Sequence, residues 1–329
     1  MCWAIIANSV PGARAIPSSL WLGRPATDLA AKLALESGAL NDSGVVLGAA
    51  TLLKALEVAV SGAMYWQEPD HLDRFLSLPQ SRELLLPAAD RVTSSAAAIW
   101  WAEPMAAGAQ YEVQFIDPRM PGPGALVNNP QDELRRWVSA TIAEEREAAG
   151  RPADLNASFS GSWWSTPSPS RLHASTRYLE DRGPVGLRLV EDGDQWEYAD
   201  CQQLLVGPET SVFEIASPDD WLRLVRQYPL PVARSRRHDW WRATGRDLPW
   251  VVPNYADVSQ DYDAIHLSVL GYLSTAGRAL GDGSAGTVLA GWDPDQTWWL
   301  TDRFELAVGS GHWRNTAPLG PESAWAPSD

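Results

Sequence analysis

The sequence predicts an α+β protein: a helical N-terminal part, then a mixed or antiparallel sheet domain with flanking helices. Three observations carry this. Apolar residues recur at helical spacing through the first part, short β-type runs replace them after Arg151-Pro152, and one well-marked helix stands among those runs. The 329 residues suffice for two domains, so the expected division is 1–150, helix-rich, and 151–314, α+β and ligand-binding or catalytic, with 315–329 a loose Pro/Ser/Gly-rich tail.

In chain order, Thr27-Asp28 caps a helix running to Glu36 and closed by Gly38, and Asn41-Asp42-Ser43 caps a second through Val60. His71–Leu78 and Ser81–Trp101 continue as helices, with Pro79 and Pro87 limiting their lengths. Alternation over Tyr111–Phe115 predicts a strand, and the prolines of Asp117–Pro130 predict a loop. Asn129-Pro130-Gln131-Asp132-Glu133 opens a helix with a cap, a first-position proline and acids that suit the helix dipole. Leu134, Trp137, Val138, Thr141 and Ile142 share one face of it, and it ends before Gly150. Strands follow near Ser158–Ser165, Val185–Val190, Gln195–Tyr198, Ser211–Ile215, Ala264–Val269, Thr287–Leu289 and Thr297–Leu300. Ser217-Pro218 opens the helix Asp219–Tyr228, with Trp221, Leu224, Val225 and Tyr228 at helical spacing.

A net charge of −15 argues against DNA or a membrane surface as partner. Two cysteines, Cys2 and Cys201, cannot build a disulfide framework or a multi-thiolate zinc site. Cys2 would become an N-terminal nucleophile if Met1 were removed, but no further part of such a site is recognisable, and Cys201 has no adjacent activator. The start of the chain lacks the basic segment of a secretory signal, and the apolar run Val45–Met64 is interrupted by Lys54 and Glu57, so a cytoplasmic protein is expected.

Eighteen tryptophans against five phenylalanines is the unusual feature, and four Trp-Trp pairs occur: Trp100–Trp101, Trp163–Trp164, Trp240–Trp241 and Trp298–Trp299. Indole serves a core, but flat π faces also stack on rings or face cations. The segment Arg234-Ser235-Arg236-Arg237-His238-Asp239-Trp240-Trp241-Arg242, extended by Arg246, holds five of the 26 Lys and Arg residues. Guanidinium groups beside indoles suit a phosphate-bearing ligand, and the alternative is an Arg-rich loop paired with acids. Trp163, Trp164 and Ser165 are candidates for the same ligand. On the run Ala264–Val269, His266 and Ser268 share a strand face, offering with Tyr272 an acid/base group, and the alternative is a structural histidine. Asp257, Asp261 and Asp263, and the pair in Gly291-Trp292-Asp293-Pro294-Asp295, place carboxylates close together, but Asp-Pro-Asp reads more simply as a capped turn, and no metal is expected.

The stretches Gly161–Pro167, Arg236–Trp241 and Tyr262–Leu267 make the region Gly161–Leu300 resemble a Trp-rich actinobacterial protein family, which implies no activity. Trp164-Ser165-Thr166, the stretch Ser170–Leu179 and the run Val185–Val190 resemble the order of an aromatic-Ser-Thr strand end, short helix and strand in the NAD cleft of ADP-ribosyltransferases. An upstream Arg or His strand and a downstream Glu-x-Glu or Gln-x-Glu are missing. Three functions stand open. One is a group-transfer enzyme with a nucleotide-bearing donor, either an NAD-type ADP-ribosyl donor or an aminoacyl-tRNA end. The others are an aromatic-lined small-molecule binding protein, whose tryptophans recognise a cation or ring, and an interaction protein with a Trp-rich core.

Overall fold

The computed structural model describes Leu33, Ala34, Ser37 and residues 47–116, 129–167, 171–193, 196–317 and 324–328. Most of the helix expected over 28–36, the cap at Asn41, most of the loop 117–130 and Cys2 lie outside the described residues. Contacts divide the chain into two units, one formed by Met1–Ala63 with Glu68–Trp101 and one by Met64–Gln67 with Ala102–Asp329. The compositional change at residue 151 therefore falls inside the second unit.

The first unit is helical as described. Helix α1, Ala49–Ser61, buries Leu52, Leu53, Ala55, Leu56 and Val60, the spacing of one helix face, and keeps Lys54 and Glu57 half-exposed. Helix α2, His71–Leu76, starts in a reciprocal cap: Asp70 accepts from the Leu72 and Asp73 N–H groups, and Asp73 accepts from the Asp70 N–H. Helix α3, Pro79–Thr93, runs through Pro87 instead of stopping there. Burial of Ala88 and Val92 beyond the proline holds the second half in place despite the lost N–H.

The second unit is built on a mixed ten-stranded sheet. Its strands are β1 (Gln110–Ile116), β2 (Ala174–Leu179), β3 (Gly183–Pro184), β4 (Tyr198–Val206), β5 (Val212–Ile215), β8 (Ala264–Leu267), β11 (Gln296–Trp299), β12 (Phe304–Leu306), β13 (Gly311–Asn315) and β14 (Trp325–Ser328). The order is β14-β13-β4-β1-β2-β11-β8-β5, with β12 also on β4 and β3 on β2. Among these described strands only β5 and β8 pair in parallel, placing Glu214 beside His266, while antiparallel β11 brings Thr297 to His266 from the other side. Two small ribbons, β6 (Pro229–Pro231) with β7 (Val251–Pro253) and β9 (Leu280–Gly281) with β10 (Gly286–Thr287), complete the strands.

Helices flank the sheet. In α4, Pro130–Glu147, Asn129 caps by accepting from the Asp132 N–H at 3.1 Å, and Trp137, Val138 and Ile142 pack on a core of Leu230, Val232, Trp240, Trp250, Val252, Val288 and Ala290. Helix α5, Pro218–Gln227, is capped by Ser217 and buries Trp221, Leu224 and Val225. Trp221 meets Trp292 edge-on at 6.2 Å and donates its indole N–H to Thr287 Oγ1. Helices α6 (Arg237–Thr244), α7 (Tyr255–Val258) and α8 (Val269–Thr275) follow.

Several further expected elements differ. Residues 158–165 form no strand, because their N–H groups go elsewhere: Gly161 to Asp239, Ser162 to Glu144 and Ser165 to the Ala290 carbonyl. Val185–Leu187 is a 3-10 turn, with the Arg188 and Leu189 N–H groups donating to the Val185 carbonyl. The run Ala264–Val269 is strand only to Leu267. The tail is not loose where described: Trp325–Ser328 pairs with β13, and Trp325 is buried with Trp313 and Leu187. None of the described helices is long and apolar enough to cross a membrane.

Leu224, fully buried in α5, provides a test of this packing. Leu224→Ala is expected to destabilise the protein by about 2–5 kcal/mol in urea unfolding, the range for an emptied leucine site in a packed core.

Candidate functional site

Three arginines of the segment are engaged by acids. Arg236, 2% exposed, donates from Nη1 to Glu144 at 2.9 Å, and Arg237 forks onto Asp247 with distances of 3.1 and 2.8 Å. Arg242 pairs with Asp239 and donates to the Phe159 carbonyl. Glu145 receives the backbone N–H groups of Arg234 and Ser235, and Arg151 donates to the Ser235 carbonyl. His238 is buried with Nε2 on the Asp154 carbonyl at 3.1 Å. The segment expected to bind phosphate is thus a latch between α4 and α6; the side chains of Arg234 and Arg246 remain exposed. The charges of Arg236, Arg237 and Arg242 are matched because Glu144, Asp247 and Asp239 fold against them, which the linear sequence does not display.

Trp240 is equally structural. It is 1% exposed, meets Trp250 edge-on at 5.1 Å and donates to the Trp163 carbonyl at 2.7 Å. Trp241 lies half-buried on α6. Ser165 is buried in a reciprocal pairing with Ala290, and its carbonyl accepts from the Tyr255 hydroxyl. Trp163 and Trp164 stay half-buried and pack edge-on, 6.1 Å between rings.

His266 is fully buried on β8, between β11 and the edge strand β5. Its Nδ1–H donates to Glu214 at 2.6 Å, and its Nε2 lies 3.5 Å from Asp295. Asp295 is held by Arg177 twice, by the backbone N–H at 2.8 Å and by Nε at 2.6 Å. Arg177 continues to Glu103 and to the Pro104 carbonyl, and Glu214 also accepts from the Met105 N–H. Burial opposes a charge on His266, but hydrogen bonds and attraction from Asp295 and Glu214 outweigh it and raise its pKa. Enclosed between Glu214 and Asp295 with no solvent exposure, His266 links the strands around it. Ser268 is a cap: it accepts from the Gly271 N–H at 3.0 Å and so begins α8.

Tyr272, the third of those residues, leads elsewhere. It lies on α8, 2% exposed, and is directed at the carboxyl of Glu191 without reaching hydrogen-bonding geometry; its hydroxyl has no partner. Glu191 Oε1 is also buried and unpartnered. Asp293 stands against Glu191, its Oδ1 accepting the Glu191 N–H at 2.8 Å. Both residues are half-buried. Burial, then the charge of Asp293, pushes the Glu191 pKa up to about 8, against smaller opposing effects of Tyr272 and the Gly291 N–H. Burial likewise pushes Asp293 up to about 7. Among the described residues, no arginine or lysine pairs with either.

Two further aromatic side chains reach the neighbours of this carboxyl pair. Tyr65 packs on Tyr272 with rings 6.4 Å apart, and Trp66, 39% exposed, donates its indole N–H to Asp192, the neighbour of Glu191. Two glycines permit the approach. Gly277, at φ 69°, leaves the space for the Tyr65 ring, whose Cδ1 would lie 2.1 Å from an added Cβ. Gly291, at φ 73°, lies against Trp164, whose Cβ would be 2.9 Å from an added one. Cys201 is buried and its thiol is pushed up to about 12, which makes it a poor nucleophile.

Comparison with known protein families, with curated proteins and with solved structures finds no match.

The sequence pattern marked Asp293 and Tyr272 separately but not Glu191, which stands alone in an unremarkable polar stretch. This geometry can be tested at both clusters. His266→Ala should cost about 3–5 kcal/mol in unfolding free energy, the scale for breaking a buried charged pair. A loss below about 1 kcal/mol contradicts its structural role. For the carboxyl pair, folded-state pKa values above the ordinary 4.5 and 3.8 mean that the folded protein holds protons the unfolded chain releases. Their contribution is therefore present at low pH and is lost as pH rises toward about 8. Melting temperatures from pH 5 to pH 9 should fall more steeply for the wild type than for Glu191→Gln.

Proposed function

We propose that this protein binds a small organic cation, taken up at Glu191 and Asp293 beside Tyr65, Tyr272 and Trp66. One observation carries the reading: among the described residues the fully buried acids each have a cationic partner, and this half-buried carboxyl pair has none. Glu112 has His173, Glu133 has Arg136 and Arg171, Asp239 has Arg242, and Asp295 has Arg177. Two carboxyls held together away from water resist ionising together, and a cation lets both ionise. Aromatic faces add attraction for an organic cation, and the net charge of −15 favours its approach.

The group-transfer reading requires phosphate-binding groups for an NAD-type donor or a tRNA end. The arginines that were to supply them are engaged by Glu144, Asp247 and Asp239, which removes its main support.

Melting curves of the full chain with alkylamines and alkylguanidines, and in parallel with NAD and tRNA, test the proposal. The cations are expected to raise the melting temperature by mass action, and Glu191→Gln with Asp293→Asn to abolish the rise. Stabilisation by NAD or tRNA with none by any cation overturns it in favour of the transfer reading.

A further inference from the structure

Resting on the cation reading of the preceding subsection, we infer that the site selects a ligand with N–H donors, a primary ammonium or a guanidinium, over a quaternary ammonium of similar size. Two buried polar atoms point to this. Glu191 Oε1 and the Tyr272 hydroxyl both lack a hydrogen-bond partner, and Tyr272 is 2% exposed. Buried groups of this kind are ordinarily satisfied, and leaving a carboxyl oxygen unpaired is costly, the more so once the group is ionised.

The remaining bonds around the pair are already assigned. Asp293 Oδ1 holds the Glu191 N–H, the Asp293 N–H reaches Gln296 Oε1 at 3.4 Å, and Asp192 holds the Trp66 indole. Among the described residues the Tyr272 hydroxyl and the Gly291 N–H face the Glu191 carboxyl, but neither closes a hydrogen bond on Oε1. An N–H group of a ligand fits that acceptor. A tetraalkylammonium has no N–H; it can rest on the Tyr65 and Trp66 rings but leaves Oε1 desolvated and unpaired.

Binding exchanges charge for charge. Without a cation, the pair retains a proton at neutral pH; when an ammonium or guanidinium arrives, its positive charge takes the place of that proton, which leaves to solvent. The groups that face Glu191 and set this balance are Asp293, Asp192 and Tyr272, and Tyr65 faces Tyr272 in turn.

The experiment is calorimetric titration of the full chain with methylguanidinium, n-propylammonium and tetramethylammonium chlorides at pH 7, repeated in buffers of different ionisation enthalpy. The expected result is at least about tenfold tighter binding of the two N–H donors than of tetramethylammonium, as one charge-assisted hydrogen bond implies. Proton release should appear as a buffer-dependent heat. Tyr272→Phe, which keeps the ring, should bind with less discrimination. Equal or tighter binding of tetramethylammonium overturns the inference and leaves the cation reading standing. If none of the three binds at millimolar concentration, both are overturned. The comparison of the three cations uses the wild-type chain alone, so it holds even where a substitution misfolds.

Discussion

Asp295 occupies a left-handed backbone conformation, φ 59°, that an L residue adopts only at a cost. Its carboxylate takes both the N–H and the Nε of Arg177 from β2, and it lies beside His266 from β8. β11 begins at the next residue and pairs with both of those strands. One side chain thus ties the start of β11 to its two neighbours in the sheet, β2 and β8. Gly291 and Asp295, both at positive φ, reverse the chain just before β11, and Trp292 between them packs edge-on against Trp221 of α5. The turn that results carries Asp293 to Glu191.

The two carboxylates of this turn therefore meet opposite conditions two residues apart. Asp295 is buried with a guanidinium, which offsets its desolvation, whereas Asp293 meets another carboxylate. Both arrangements depend on the same backbone reversal, so the candidate site is held by the structural network beneath it. That separation also assigns roles: His266 and Arg177 maintain the sheet, and Glu191, Asp293 and Tyr272 form the proposed ligand site.

Tryptophan abundance resolves along similar lines. Among the described residues nine of the eighteen are buried, and several satisfy their indole N–H inside the core: Trp221 on Thr287, Trp292 on Gln296, and Trp299 on Ser175. These large side chains fill the layer between sheet and helices with few phenylalanines available. Trp66 and Trp164 differ, being partly exposed beside the carboxyl pair or the glycine adjoining it. Composition alone could not sort one group from the other, since burial is decided by partners far along the chain.

The sequence by itself determined the fold class and the elements whose signals are local. Asn129 and Ser217 with their following prolines mark α4 and α5, and the alternation of Tyr111–Phe115 marks β1. It misjudged Pro87 and the run Val185–Val190, where burial of Ala88 and Val92 and a tight carbonyl-sharing turn override local preference. Of the candidate site, Tyr272 and Asp293 were legible as residues of interest, but for unrelated reasons. Only the tertiary structure decided that Arg236, Arg237 and Arg242 are matched and that Glu191 and Asp293 are not. A charge becomes a binding group or a structural one according to its nearest partner in space, and those partners lie about ninety residues away for Arg236 and about one hundred for Glu191.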